Sequence, residues 1–88
     1  MRIHIFISGS VQGVFFRAYL KKQAEKLNLT GWARNLADGR VEAVFEGAEK
    51  QIKTIMELCQ KGSPASEVEK IEITKEKEES LRKFEIKY

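Results

Sequence analysis

The chain has 88 residues, of which 42% are hydrophobic and 33% charged, so it predicts one globular domain over residues 1–88 and excludes a disordered chain. It has no apolar run of membrane-spanning length and no room for a signal peptide before its first strand, so we expect a cytoplasmic protein with no membrane partner. Because it has a single cysteine, we expect no disulfide and no multi-cysteine metal site. The formal net charge of +3 lies in residues 1–47, where 7 Lys and Arg stand against 4 Asp and Glu, an excess that suits a small anion and is too small to indicate a polyanion.

The first predicted elements are a strand, a loop and a helix. Apolar residues alternate over residues 2–8, which is typical of a strand, and recur at helical spacing from about Phe16 to Asn28. The intervening loop contains Gly9 and Gly13, and no Ser, Thr, Asp or Asn stands directly before Phe16 to cap the helix. Because the first N–H groups of a helix lack internal partners and lie at the positive end of its dipole, this arrangement favours an oxyanion site, above all for a phosphoryl group.

Arg17 lies in the first turn of this predicted helix, where the dipole disfavours a cation by about 0.3–1 kcal/mol. That placement suits an arginine that meets a negative partner. The same features are also typical of turn glycines and a surface arginine, and the loop matches neither the Walker pattern nor the dinucleotide-binding pattern. The loop by itself therefore leaves both interpretations open.

The remaining elements complete the order β-α-β-β-α-β, followed by a short terminal strand. They are strands over 30–36 and 41–46, a helix over 49–61, and strands over 68–74 and 82–88. Asp38-Gly39 is a hairpin signal, the phase of the fourth strand predicts a bulge near Glu69-Lys70, and 75–80 reads as a charged, solvated turn. This order predicts an α+β fold, the ferredoxin-like βαββαβ sandwich, with an antiparallel sheet of four to five strands and two helices on one face.

The predicted topology brings Arg17 close to Asn35. In this fold the first and second strands are parallel, with the third between them, and the first helix forms the right-handed crossover that joins them. The loop after the first strand and Asn35 at the end of the second therefore open on the same edge of the sheet, although Arg17 and Asn35 are 18 positions apart in sequence. Asn is also common near turns, so a role in the following hairpin is the alternative.

Short motifs extend over nearly the whole chain. They are Gly9-x-Val11-Gln12-Gly13-Val14-x-Phe16-Arg17, Gly31-Trp32-x-x-Asn35, Asp38-Gly39, Gly47, Gly62-Ser63-Pro64 and Phe84-x-Ile86-x-Tyr88. Together they resemble the acylphosphatase family, and the combination of the first two motifs is specific. The sequence departs from the family at Leu36, where some members carry Thr, and at Ser10, where a basic residue is frequent. Neither change touches the Arg17–Asn35 pair, but both are candidates to alter affinity or rate.

The resemblance implies a metal-independent enzyme that hydrolyses the carboxyl–phosphate bond of acyl phosphates. Arg17 would bind the phosphate oxygens, and Asn35 would hold and orient the attacking water. The phosphate would be cradled by backbone amides of Val11, Gln12, Gly13, Val14, Phe15 and Phe16. The resemblance further implies no cofactor, a small-molecule acyl phosphate as substrate, and inorganic phosphate or other small anions as product or inhibitor. We expect a monomer with no nucleic-acid partner.

Other functions share this fold. RNA-recognition domains need exposed aromatics on the central strands, whereas the third strand here offers Glu42 and Glu46 and the first offers Phe6. A metal chaperone would need a Cys-x-x-Cys loop where this chain has Gln12-Gly13. A regulatory domain that binds an anion would use the same backbone amides, and turnover of an acyl phosphate separates it from an enzyme. Similar modules also occur inside larger maturation proteins, but we expect a free-standing chain.

Overall fold

Two helices pack on one side of a five-stranded sheet in the computed structural model, which describes residues 1–88. The elements are β1 (Arg2–Ser10), α1 (Phe16–Lys26), β2 (Thr30–Asn35), β3 (Val41–Glu46), α2 (Glu49–Lys61), β4 (Glu67–Glu76) and β5 (Phe84–Lys87). This is the predicted ferredoxin-like α+β sandwich. Neither helix is long and apolar enough to cross a membrane.

The sheet has the strand order β4-β1-β3-β2-β5. β1 and β2 both pair with β3 in antiparallel fashion, so they run parallel to each other, as predicted. The prediction of an antiparallel sheet is wrong at one edge, because β5 runs parallel to β2, with Phe84 opposite Gly31. The reason is the last connection: β4 ends beside the start of β1, and residues 77–83 then cross to the start of β2.

The connection formed by residues 77–83 is anchored on a buried carboxylate. Glu46 is 5% exposed and accepts hydrogen bonds from the backbone N–H of Glu79 at 2.7 Å, the backbone N–H of Leu81 at 2.9 Å and Nη1 of Arg2 at 2.9 Å. Burial raises the pKa of Glu46, but the bonds from Glu79, Arg2 and Leu81 outweigh burial and leave its pKa below the ordinary value. The segment predicted as a solvated turn therefore contributes to holding the sheet together.

The core lies between the helices and the inner face of the sheet. Its largest fully buried side chains include Ile3, Ile5 and Ile7 of β1, Phe16 and Leu20 of α1, and Ile52, Ile55 and Cys59 of α2. The alternation in β1 and the spacing of apolar residues in both helices predicted these faces. Burial raises the pKa of the Cys59 thiol to about 12, so this cysteine behaves as a small apolar residue.

A β-bulge determines how the chain leaves β1. Ser8 lies opposite Lys70 and Gly9 lies opposite Val68, so Glu69 is the extra residue, which confirms the predicted bulge. Gly9 has φ +132°, and a Cβ atom there would lie 2.1 Å from the carbonyl oxygen of Glu67. Only glycine fits this close approach of two strands. The loop that follows β1 therefore starts from a fixed point at the edge of the sheet.

Candidate active site

A cleft of about 300 Å³ opens where β1 and β2 end. Both side chains that the topology was expected to bring together, Arg17 and Asn35, line this cleft. The other lining residues are Val11, Gly13, Phe15, Phe16, Ala18, Ile86 and Tyr88. Of the residues predicted to bind phosphate through their backbone, Gln12 and Val14 are not among those that line the cleft.

The loop that borders the cleft has unused backbone donors. None of the N–H groups from Val11 to Ala18 donates a hydrogen bond within the chain, and the first to do so is that of Tyr19, to the carbonyl oxygen of Phe15 at 3.0 Å. No side chain caps α1, and its first turn contains no acidic residue. A run of free N–H groups at the positive end of a helix is an arrangement that favours the binding of an anion. The sequence-based prediction of an uncapped helix is therefore confirmed.

The loop adopts a strained conformation to reach the helix. Phe15 precedes α1 in the left-handed region at φ +59° and ψ 28°, and Gly13 also has a positive φ of +73°. A bulky residue rarely adopts this conformation, which costs on the order of 1–3 kcal/mol and occurs mainly at functional sites. The side chain of Phe15 is 87% exposed, so packing in the core does not offset this strain.

Arg17 is held at the rim of the cleft by the C-terminal residues. Its Nη1 donates a hydrogen bond to the carbonyl oxygen of Lys87 at 3.1 Å, and its guanidinium lies 4.8 Å from the centre of the Tyr88 ring. It forms no ion pair with any carboxylate of the chain. These contacts orient the side chain and leave its charge free for an anionic ligand. The sequence pattern could not reveal them, because Arg17 and Lys87 are 70 positions apart.

Asn35 closes β2 and presents an exposed side chain to the cleft. Its backbone position is fixed by pairing with Val41 in β3. Its side-chain amide makes no hydrogen bond within the chain and keeps both a donor and an acceptor available. Such a group can orient a water molecule without itself reacting.

The Gln12 side chain connects the loop to the hairpin that follows Asn35, a role that the sequence pattern does not predict. Its Nε2 donates to the carbonyl oxygens of Leu36 at 2.7 Å and Arg40 at 2.9 Å. These bonds fix the distance between the free amides of the loop and the end of β2. The sequence predicts only a backbone role for Gln12, because no local pattern indicates a contact with a hairpin 24–28 positions away.

The nearest carboxylate in sequence to Asn35, that of Asp38, forms an ion pair with Arg40 outside the cleft. Asp38, which is close to Asn35 in sequence, faces Arg40, whose N–H groups donate to its carboxylate at 3.1 and 2.7 Å and lower the pKa of Asp38. It does not line the cleft. The chain contains no group of three or more His, Cys, Asp or Glu residues that could hold a metal ion. The polar side chains that line the cleft are therefore Arg17, Asn35 and the phenol of Tyr88, beside the free backbone amides of the loop.

The outer face of the sheet carries a separate ionic network. His4, to which the sequence assigned no role, lies with Nε2 2.7 Å from Glu42 and Nδ1 2.7 Å from Glu76. Burial raises the pKa of Glu42, but hydrogen bonds from Arg34 and His4 outweigh burial, so its pKa lies below the ordinary value. None of these residues lines the cleft.

Two aromatic rings also lie on this outer face, whereas the sequence predicted Phe6 alone. Trp32 accompanies Phe6, because β2 places Trp32 on the side opposite to the buried Ala33. Cationic groups of the chain itself cover both rings: Arg40 lies 4.8 Å from the ring centre of Phe6, and Lys87 lies 4.8 Å from that of Trp32. A nucleic-acid base would have to displace these cations in order to stack on either ring.

Comparison with known proteins gives a consistent result over almost the full length. The family model described as acylphosphatase matches residues 3–86. An acylphosphatase of Trichormus variabilis is 48% identical over 87 residues, which is 99% of this chain and 86% of that protein. The crystal structure of acylphosphatase from Bacillus subtilis superimposes with a TM-score of 0.94 at 39% identity, and the match covers 99% of this chain and 98% of that one.

The same domain also matches a small part of a longer protein. The crystal structure of T. kodakarensis HypF matches with a TM-score of 0.85 and 34% identity. That match covers 99% of this chain but 12% of the HypF chain. The fold is thus found in chains of very different length, and the proteins from Trichormus variabilis and Bacillus subtilis, whose matches cover most of both chains, are acylphosphatases.

Proposed function

Because the chain belongs to the acylphosphatase family, we propose that it hydrolyses the carboxyl–phosphate bond of acyl phosphates at the cleft formed by the 11–16 loop, Arg17 and Asn35. The family supports a hydrolase that acts on acyl phosphates. The roles of individual residues are our proposal. The observation that carries it is the run of N–H groups from Val11 to Ala18 without partners, beside an arginine without a carboxylate.

In the proposed reaction, water attacks phosphorus directly. A bond forms between the water oxygen and phosphorus, and the bond between phosphorus and the acyl oxygen breaks, with its electron pair leaving on the carboxylate. The protons of the water stay with the phosphate product, so an acyl phosphate dianion and water give a carboxylate and dihydrogen phosphate. The conjugate acid of the leaving group has a pKa of about 4, so its departure requires no general acid.

The proposed roles follow from the charge that the transition state carries. Phosphoryl transfer passes through a loose transition state whose charge is spread over the equatorial oxygens, and catalysis consists mainly of positioning and electrostatic stabilisation. The free backbone amides and the guanidinium of Arg17 supply fixed donors for these oxygens. The amide of Asn35 holds the attacking water in line with the breaking bond. In this proposal no side chain acts as a nucleophile, and the reaction needs no metal ion.

The direct test is hydrolysis of benzoyl phosphate in the presence of excess chelator. We expect turnover by the wild type, and a loss of about 100-fold or more in Arg17→Gln and in Asn35→Ala, by analogy with the removal of one transition-state donor. Arg82→Gln is the matched control, because Arg82 is exposed and lies outside the cleft. Unfolding curves establish that each variant is folded.

Each outcome has a definite meaning. A folded Arg17→Gln or Asn35→Ala variant with near-normal turnover removes that residue from the mechanism. Turnover that chelator abolishes contradicts metal independence. A folded wild type that binds phosphate but hydrolyses no acyl phosphate would instead be an anion-binding regulatory domain.

A further inference from the structure

A second concavity, of about 320 Å³, lies beside the cleft that contains Arg17 and Asn35. It runs between the start of α1 and the loop after α2, and we call it the side groove. Its walls include Phe15, Ala18, Tyr19, Lys22, Pro64 and Ala65. A volume of this size is at the lower end of the range of about 300–1,000 Å³ that is typical of small-molecule pockets.

The side groove adjoins the cleft. Phe15 and Ala18 line both cavities and therefore form the ridge between them. A group attached to a phosphoryl group in the cleft would have to pass over these two side chains to reach the side groove, and Ala18 is the smaller of the two.

Phe15 is an exposed apolar side chain that packing within the chain does not explain. It is 87% exposed, and its backbone is held in the left-handed region at φ +59°. Strain of this kind, in a residue that contributes nothing to the core, is characteristic of functional positions. A ligand in the side groove would cover the face of the ring that borders it and remove apolar surface from water.

The wall of the side groove also contains the chain's one unsatisfied buried side-chain atom. Ser63 is 8% exposed, and its Oγ has no hydrogen-bond partner. A buried hydroxyl without a partner is costly and rare in folded proteins. Lys22, at the rim, forms no ion pair with any carboxylate of the chain. Apart from these two groups, the walls are mainly apolar and suit an organic substituent better than a second phosphate.

We propose that the side groove binds the acyl group of the substrate and favours aromatic or larger apolar acyl groups over acetyl. The inference rests on the proposed function, because it assumes that the phosphoryl group occupies the adjoining cleft. Phe15 and Ala65 then determine specificity from opposite walls. Each carbon atom that an apolar pocket covers adds to the affinity for the substrate, whereas the phosphoryl group is the same in every acyl phosphate. The preference among substrates therefore depends on the acyl group alone.

The test compares kcat/KM for benzoyl phosphate and acetyl phosphate in the same preparations. Phe15→Asn removes the ring and keeps a residue that tolerates the left-handed conformation. Ala65→Gln places a neutral polar side chain in the far wall, and Ala48→Gln is the same change at an exposed position outside both cavities. We expect the benzoyl-to-acetyl ratio to fall about tenfold in Phe15→Asn and about threefold in Ala65→Gln, with no change in Ala48→Gln.

The outcomes separate this inference from the proposed function. If acetyl phosphate is hydrolysed and the ratio is unchanged in both groove variants, the side groove does not bind the acyl group. If the wild type hydrolyses neither substrate, the proposed function fails, and the inference fails with it. Sedimentation of the wild type and Phe15→Asn tests the other occupant: a wild-type dimer that Phe15→Asn converts to a monomer would identify a second copy of the chain in the groove and overturn the inference.

Discussion

Replacement of Gln12 by methionine tests how the chain holds its loop over the site. Gln12→Met keeps the length and removes both donors, so the bonds of 2.7 Å to Leu36 and 2.9 Å to Arg40 are lost. Each bond contributes about 0.5–1.5 kcal/mol, which gives a loss of about 1–3 kcal/mol in the free energy of unfolding. No larger penalty is expected, because the carbonyl of Leu36 still accepts from Gly39 at 3.2 Å and that of Arg40 still accepts from Leu36 at 2.8 Å.

The same substitution should lower activity. Without these bonds the loop is no longer fixed relative to Asn35, and a displacement of about 1 Å in a catalytic arrangement can cost about 100-fold in rate. We expect kcat for an acyl phosphate to fall about 10- to 100-fold, and Tm to fall by roughly 4–8 °C for each kcal/mol of stability lost.

The assay combines denaturant unfolding, kcat and KM, and competitive inhibition by phosphate. Gln60→Met is the matched control, since Gln60 is exposed on α2 and its side chain makes no hydrogen bond within the chain. Wild-type stability together with wild-type kcat in Gln12→Met would refute the connection between loop and hairpin. A loss of stability with unchanged kcat would show that the connection supports the fold but not the alignment of the site.

Further predictions concern pH, reactivity and sterics. The pKa of Glu46 in the folded protein lies below its ordinary value of 4.5, so its contribution to stability is present above pH 4.5 and is lost as the pH falls through the folded pKa. The free energy of unfolding, measured with denaturant, should therefore fall more steeply with acid in the wild type than in Glu46→Gln. An equal dependence on pH in the two proteins would contradict this. Cys59, whose pKa is raised to about 12 by burial, should react with a chromogenic thiol reagent only after unfolding, and rapid reaction of the native protein would exclude the burial described. In Gly31→Ala the new Cβ would lie 1.8 Å from a backbone oxygen, so the free energy of unfolding should fall by more than about 3 kcal/mol. In Gly39→Ala no atom lies within 4 Å of the new Cβ, so the free energy of unfolding should fall by about 1 kcal/mol. Similar losses in the two variants would refute the steric explanation.

The features that sequence predicted correctly depend on local rules. Alternation placed the isoleucines of β1 on the inner face, and helical spacing gave α2 its observed limits of Glu49 and Lys61. α1 ends at Lys26, two residues before the predicted end, and Asn28 just beyond it has the predicted left-handed conformation at φ +56°. The approach of Arg17 and Asn35 followed from the topology once the order of elements was known.

The features that sequence did not predict depend on register and on side-chain direction. The position of His4 between Glu42 and Glu76 requires the offsets of β1 against two neighbouring strands, which no single segment encodes. The parallel pairing of β5 depends on the path of residues 77–83, which a run of charged residues does not specify. The contacts of Gln12 and Arg17 join groups that are far apart in sequence and become visible only when the sheet is assembled.

The loop illustrates why an anion site of this kind needs a rigid sheet behind it. The N–H groups that we propose to bind phosphate are not used within the chain, and this leaves the loop without the hydrogen bonds that would otherwise stabilise it. The left-handed Phe15 adds a cost on the order of 1–3 kcal/mol. The bulge at Gly9 fixes one end of the loop, Gln12 fixes its middle, and α1 fixes the other end through the buried Phe16. In the proposed site the donors are prearranged, so the binding of an anion would not include the cost of ordering them, and the same would hold for the charge of the proposed transition state.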